Sequence, residues 1–170
     1  MTGVDVTTSP AKAGTAASTP YDRLSALGIE LPPPPKPIGN FLTHVQEGSL
    51  LFLSGQGPLE ADGHMHVGKV GGDVATEDAY RHARVTGINL IAVMHHALGD
   101  LSRVKRVVKL LGMVNAVPDF REHPRVINGC SDLFAEVFGE AGHHARSAVG
   151  FGSLPGNITV EIEAIIALHE

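Results

Sequence analysis

Arg146 stands in the stretch His-His-Ala-Arg-Ser-Ala-Val-Gly-Phe-Gly, residues 143–152, at the head of a run of small and apolar residues with strand character. A guanidinium keeps its charge at any physiological pH, so setting one against a sheet demands an anion, from the chain or from a ligand. Glu161 is a candidate: it and Glu163 alternate with Ile162 and Ala164 in a second strand-like run, which puts both carboxylates on one face. Between the runs lies Ser-Leu-Pro-Gly-Asn, residues 153–157, whose Pro155 and Gly156 favour a turn. An antiparallel hairpin there would bring the strands of Arg146 and Glu161 together, so an internal ion pair stands beside a carboxylate-binding site as a reading.

Ser54, Gly55 and Gln56 end an apolar run that begins at Leu50, a place where backbone amides face ligands, although the spacing is not that of a Gly-X-Ser-X-Gly nucleophile elbow. Cys130 is the only cysteine, which excludes an intrachain disulfide and a Cys-X-X-Cys metal site. Nothing near it identifies a base, so it reads as a small buried helical residue and not as a nucleophile. Ten histidines invite a metal reading at His95-His96, His143-His144 and the pair His64 and His66. Neighbours on a helix point apart and no His-Glu-X-X-His pattern is present, so no metal site is assigned and these read as surface or core-edge residues. His143 and His144 in particular read as surface residues at the mouth of a strand.

These residues need a scaffold. The chain has 170 residues, 43% hydrophobic, enough for one ordinary core. A formal charge of -5 gives no net attraction for phosphate backbones and argues against nucleic acid as a partner. The N-terminus has neither the signal-peptide pattern nor a long apolar run, so the expectation is a soluble, cytoplasmic protein without a membrane anchor.

Residues 1–19, rich in Thr, Ser and Ala, read as a flexible tail, and residues 20–37 as a short helix with a proline-rich lead-in. Thr19 and Pro20 resemble an N-cap and first helical residue, Gly28 stops the turn, and Leu31–Pro37 runs extended. In the domain from 38 to 170, His-Val-Gln-Glu-Gly, residues 44–48, reads as the turn of a hairpin leading into the strand at 50–55, and 63–74 as a glycine-rich loop. A long helix covers 75–100, with Thr76 or Asp73 as cap and Gly99 as stop. A strand apolar on both faces follows within 101–117, one cover for which belongs to another subunit. A second helix spans 126–140, with Val126, Leu133, Phe134, Val137 and Phe138 inward, and two strands finish the chain, an α+β order.

The segments Leu-Phe-Leu-Ser-Gly-Gln (51–56) and His144–Ile165, with the helix and strand between them, resemble the RidA/YjgF family over roughly residues 38–169. That resemblance implies a chorismate-mutase-like fold, a mixed sheet with two helices on one face, assembled as a homotrimer with ligand clefts between subunits. It implies an enamine/imine deaminase, which turns reactive 2-enamine or 2-imine acids, such as those derived from 2-aminoacrylate, into the 2-keto acid and ammonia without metal or organic cofactor. Carried onto this chain, Arg146 clamps the substrate carboxylate, Glu161 orients the attacking water, and the Gly55 amide beside Ser54 holds the substrate. Phe41 stands where many members have a tyrosine, Ala148 where a cysteine is common, and either Asn128 or Ser131 where an asparagine opens the second helix. Phe120–Asn128 is a place where specificity can change. Two other classes compete: a non-catalytic binding protein or sensor for small carboxylates that uses the same cleft, and a ribonuclease.

Overall fold

The computed structural model describes residues 18–169, so residues 1–17 of the expected tail lie outside it. Thr19 caps helix α1 (Pro20–Ala26): its hydroxyl accepts from the Asp22 backbone N–H at 3.1 Å, and the Asp22 carboxylate accepts from the Thr19 N–H at 2.8 Å. The proline-rich segment then runs without regular structure to a hairpin of β1 (His44–Glu47) and β2 (Leu50–Gln56). The expected turn at 44–48 is corrected here. Gly48, at φ +57°, and Ser49 suffice to reverse the chain, so His44–Glu47 is free to pair as a strand.

Helix α2 (Thr76–Leu98) ends on Gly99 in the left-handed region, as its sequence implies. Neither expected cap acts. Asp73 accepts the Lys69 backbone N–H at 2.6 Å, and Thr76 donates to Glu122 at 3.0 Å, which leaves Ala75 at the N-cap with no side-chain bond. Strand β3 (Val104–Asn115) follows, then α3 (His123–Phe138), which starts one turn before the first expected apolar residue because Pro124 is suited to a first turn. Val126, Leu133, Phe134, Val137 and Phe138 are all buried, as is Cys130. Strands β4 (Ala145–Phe151) and β5 (Val160–Leu168) complete a five-stranded mixed sheet in the order β1-β2-β5-β3-β4.

That order overturns the expected hairpin. β4 pairs parallel with β3 at the sheet edge, while β5 crosses past β3 and inserts antiparallel between β2 and β3. Burial explains the choice. Val160, Ile162, Ala164, Ile166 and Leu168 are all buried, a pattern that needs a central position, whereas β4 carries Gly150 and the charged Arg146 and is partly exposed along its length. Both helices cover the face bearing Leu51, Leu110 and Ile166.

On the opposite face the expectation for β3 is partly corrected. Met113 is covered by the chain's own Leu154, Ile158 and Met65. Phe52, Val149 and Phe151 on that face are each about 40% exposed, an apolar surface with no helix over it. Among the described residues, no helix is long and apolar enough to cross a membrane.

The two helices cross where Gly129 meets the backbone of α2. A Cβ on Gly129 would fall 2.0 Å from the Tyr80 carbonyl oxygen, and backbone cannot yield as a side chain can. Gly129→Ala is therefore expected to cost about 3 kcal/mol in a urea melt, the upper end for overpacking, with the m-value unchanged.

Candidate functional site

The sheet separates the expected site residues into two groups. In the first, the Glu161 carboxylate lies against Gly55: a Cβ built on Gly55 would come 2.2 Å from Glu161 Oε1, so any side chain there would displace the acid. The register break in β2 between Leu53 and Gln56 falls at this glycine. Gly55 and Glu161 line a cavity of about 360 Å³, together with Phe41, Lys36, Met65 and Ile158. Burial, and then the neighbouring charge of Glu163, push the Glu161 carboxyl above the ordinary glutamate value. Ser54 does not present its hydroxyl to this space, because it donates to the Leu42 carbonyl at 2.6 Å and ties the lead-in to β2.

The second group is on the other face. Arg146 pairs in register with Leu110, which is wholly buried under the helices, so its side chain lies on the helix side of β4. Its Nη1 donates to Ser131 Oγ at 2.9 Å and its Nη2 to the Pro124 carbonyl at 3.2 Å. Among the described residues Arg146 forms no ion pair. Ala148 shares its face and packs on the core, bringing only a methyl group. Of the two helix candidates, Ser131 is the one that touches Arg146, while Asn128 opens on a separate groove with Tyr80 and Arg125.

Glu161 pairs with Met113, three residues along β3 from Leu110, and β3 and β5 alternate their faces. Three residues along the strand and two strand spacings across put the backbones of Arg146 and Glu161 roughly 14 Å apart, with side chains on opposite faces. No salt bridge and no shared pocket joins them within the described chain.

His144 is a correction, since it is half-buried and bonded rather than a free surface residue. Its Nδ1 lies 2.6 Å from the Gly142 carbonyl, which can only accept, so that nitrogen carries the proton. Its Nε2, 3.0 Å from Ser131 Oγ, then accepts the serine hydroxyl proton, and Ser131 in turn accepts from Arg146. Burial lowers the His144 pKa, offset in part by the Gly142 bond and reinforced by Arg146, which keeps the ring neutral. The sequence held a sign of this, because positions 144 and 146 differ by two and so share a strand face.

Several other histidines have local partners. His66 bonds Glu60 at 2.9 Å and stacks on His82 at 3.9 Å between ring centroids. Burial and His66 hold His82 down at about 4. His95 bonds the Tyr21 hydroxyl at 2.9 Å. Among the described residues, no group of three or more His, Cys, Asp or Glu is arranged to hold a metal ion.

A family profile described as "YjgF/chorismate_mutase-like, putative endoribonuclease" matches residues 21–164. This chain belongs to the RidA/YjgF family. Protein TCP17 of Trypanosoma cruzi is 42% identical to it over 86% of this chain and 92% of that protein. The crystal structure of Atu1372 from Agrobacterium tumefaciens superposes with a TM-score of 0.81 at 45% identity, covering 89% of this chain and 94% of that one. A 2-iminobutanoate/2-iminopropanoate deaminase of Dermatophagoides farinae is 29% identical over 83% of this chain and 95% of its own length. The chorismate-mutase-like fold that the family resemblance implied is thus the fold observed, a mixed sheet with two helices on one face.

Proposed function

We propose that this protein hydrolyses 2-imino acids, and enamines through their imine tautomers, to 2-keto acids and ammonia. The cleft for this reaction is completed by a second copy of the chain within a homotrimer. One observation carries the reading: Arg146 is held by Ser131 and the Pro124 carbonyl, both neutral, so among the described residues its charge meets no carboxylate of the kind a structural arginine would have. An anionic ligand supplies it. The name of the Dermatophagoides farinae relative, a deaminase of two such imino acids, supports the same chemistry.

The distribution of groups supports a composite site. Glu161 and Gly55 line one cavity while Arg146 lies on the far side of the sheet edge, and the uncovered apolar face with Phe52 and Val149 is a surface through which copies can associate. In such a cleft the guanidinium of one copy binds the substrate carboxylate through charge-assisted hydrogen bonds. Glu161 of the next, ionised, accepts a proton from water as its oxygen attacks the electrophilic C=N carbon. The adduct carries hydroxyl and amine on one carbon. The imine enters protonated; Glu161 returns its proton to the amine, then takes the hydroxyl proton as the C–N bond breaks and C=O forms, and passes it to the departing ammonia, so that one water is consumed per ammonium and keto acid produced.

The decisive experiment generates an imino acid in situ with an L-amino-acid oxidase and follows its loss with and without protein. Acceleration by the wild type but not by Arg146→Ala is the expected result. Equal rates with and without protein overturn the reading. Binding of keto acids without turnover would make this a carboxylate-binding protein, and RNA cleavage that survives Arg146→Ala and Glu161→Ala would make it a nuclease.

Ser131 gives a finer test. Removing its hydroxyl frees the guanidinium while leaving Glu161 and its cavity intact, so Ser131→Ala is expected to raise KM about 10-fold, the value of one hydrogen bond to a charged group, with kcat within about two-fold. Steady-state kinetics on one imino acid separates the two parameters.

A further inference from the structure

The Glu161 cavity is larger and more apolar than a one- or two-carbon substrate side chain requires. Its volume of about 360 Å³ falls in the range of clefts that house drug-sized ligands, about 300–1,000 Å³. Glu161 is the one carboxylate and Lys36 the one ammonium among its lining residues, and Phe41, Leu59, Met65, Ile158, Pro35 and Pro37 are among the apolar residues of the remaining wall. Met65 and Ile158 are anchored, since they pack with Met113 and Leu154 in a satellite core beneath the cavity. Gly57 keeps the wall compact: a Cβ there would meet Ile158 Cδ1 at 3.0 Å and Met65 Sδ at 3.5 Å. A methionine in such a wall adapts to alkyl or aromatic groups of differing shape.

We propose that the preferred substrates are 2-imino acids with a large apolar side chain, which lies against Met65, Ile158, Leu59 and Phe41 while its C=N carbon faces Glu161. This rests on the deaminase reading and adds the substrate class. A methyl or ethyl group would leave most of the apolar wall wetted. Each further methylene moved from water onto the wall is worth a factor of about four in kcat/KM. The proline-rich lead-in, through Pro35 and Pro37, and Phe41 supply the outer part of this wall.

Imino acids made in situ from alanine, 2-aminobutyrate, leucine and phenylalanine provide the test. The kcat/KM is expected to rise along the series, with the leucine-derived imino acid at least about 10-fold above the alanine-derived one. Met65→Gln, close in volume but polar, is expected to cut that leucine-to-alanine ratio about five-fold, and Phe41→Ala to cut it in the same direction. A flat or inverted series with turnover intact overturns the side-chain chamber and leaves the deaminase reading standing. If no imino acid is turned over, the deaminase reading fails, and calorimetry then decides the chamber alone. Tighter binding of 4-methyl-2-oxopentanoate than of pyruvate supports it, and equal affinity overturns it.

Discussion

Arg146→Ala is expected to lower kcat/KM for imino-acid hydrolysis about 100- to 1,000-fold, the loss of a charge-assisted, two-pronged carboxylate contact in a partly buried site. Most of the effect belongs in KM, because the guanidinium holds the carboxylate in ground and transition states alike. Stability is expected to change little. The half-buried guanidinium gives up only two hydrogen bonds to neutral acceptors and no ion pair among the described residues, so its removal orphans no buried carboxylate. A matching prediction tests the division of the site between copies. Arg146→Ala and Glu161→Gln subunits, each inactive alone, are expected to regain about a quarter of wild-type activity when unfolded together and reassembled in equal amounts, since that fraction of composite clefts unites both intact residues. Failure to complement would place both residues in one subunit's cleft, against the roughly 14 Å and opposite faces that separate them here.

Glu161→Gln is expected to reduce kcat about 100-fold or more, the usual cost of deleting a general base, while raising thermal stability at neutral pH. Burial and the Glu163 charge hold the wild-type carboxyl above its ordinary value, so the folded protein takes up a proton more readily than the unfolded chain. The stabilisation from that proton is fully present below the unfolded pKa, about 4.3, and is lost as pH rises through the folded value. A permanently neutral glutamine avoids the loss. Its advantage in Tm should therefore be largest near pH 7 and vanish below about pH 4. The same raised pKa places the acid limb of wild-type kcat/KM at higher pH than an exposed glutamate would, because the ionised form is the one that takes the proton from water. A limb at the ordinary glutamate position, or equal Tm values at pH 7, would show that the carboxylate is not desolvated as described.

Much local chemistry set by residues near one another in the chain was legible in the sequence. Thr19 and Pro20 at the head of α1, Gly99 at the end of α2 and the inward row Val126, Leu133, Phe134, Val137 and Phe138 all follow from capping, backbone freedom and helical period. The caps at Asp73 and Thr76 failed for two reasons: Asp73 accepts the Lys69 backbone N–H within its own loop, and Thr76 is engaged by Glu122 across the fold. The turn assigned to residues 44–48 failed because a two-residue reversal at Gly48 and Ser49 let the preceding residues extend a strand, a gain visible only once β2 is beside it.

Arg146 marks the boundary between the two kinds of knowledge. Its sequence context determined that a permanent charge sits in a strand and must meet an anion, because residue type fixes charge and alternation fixes which neighbours share a face. Glu161, in a strand just past a Pro-Gly turn, stood as one candidate for that anion beside a ligand carboxylate. Only the tertiary structure decided against that pairing. The wholly apolar inner face of β5 is stabilised most at the centre of the sheet, so β5 crosses past β3, and that crossing sends the glutamate to Gly55 and the cavity while the arginine stays at the edge with Ser131 and His144. Strand order depends on burial summed over the whole sheet, and no local spacing encodes it.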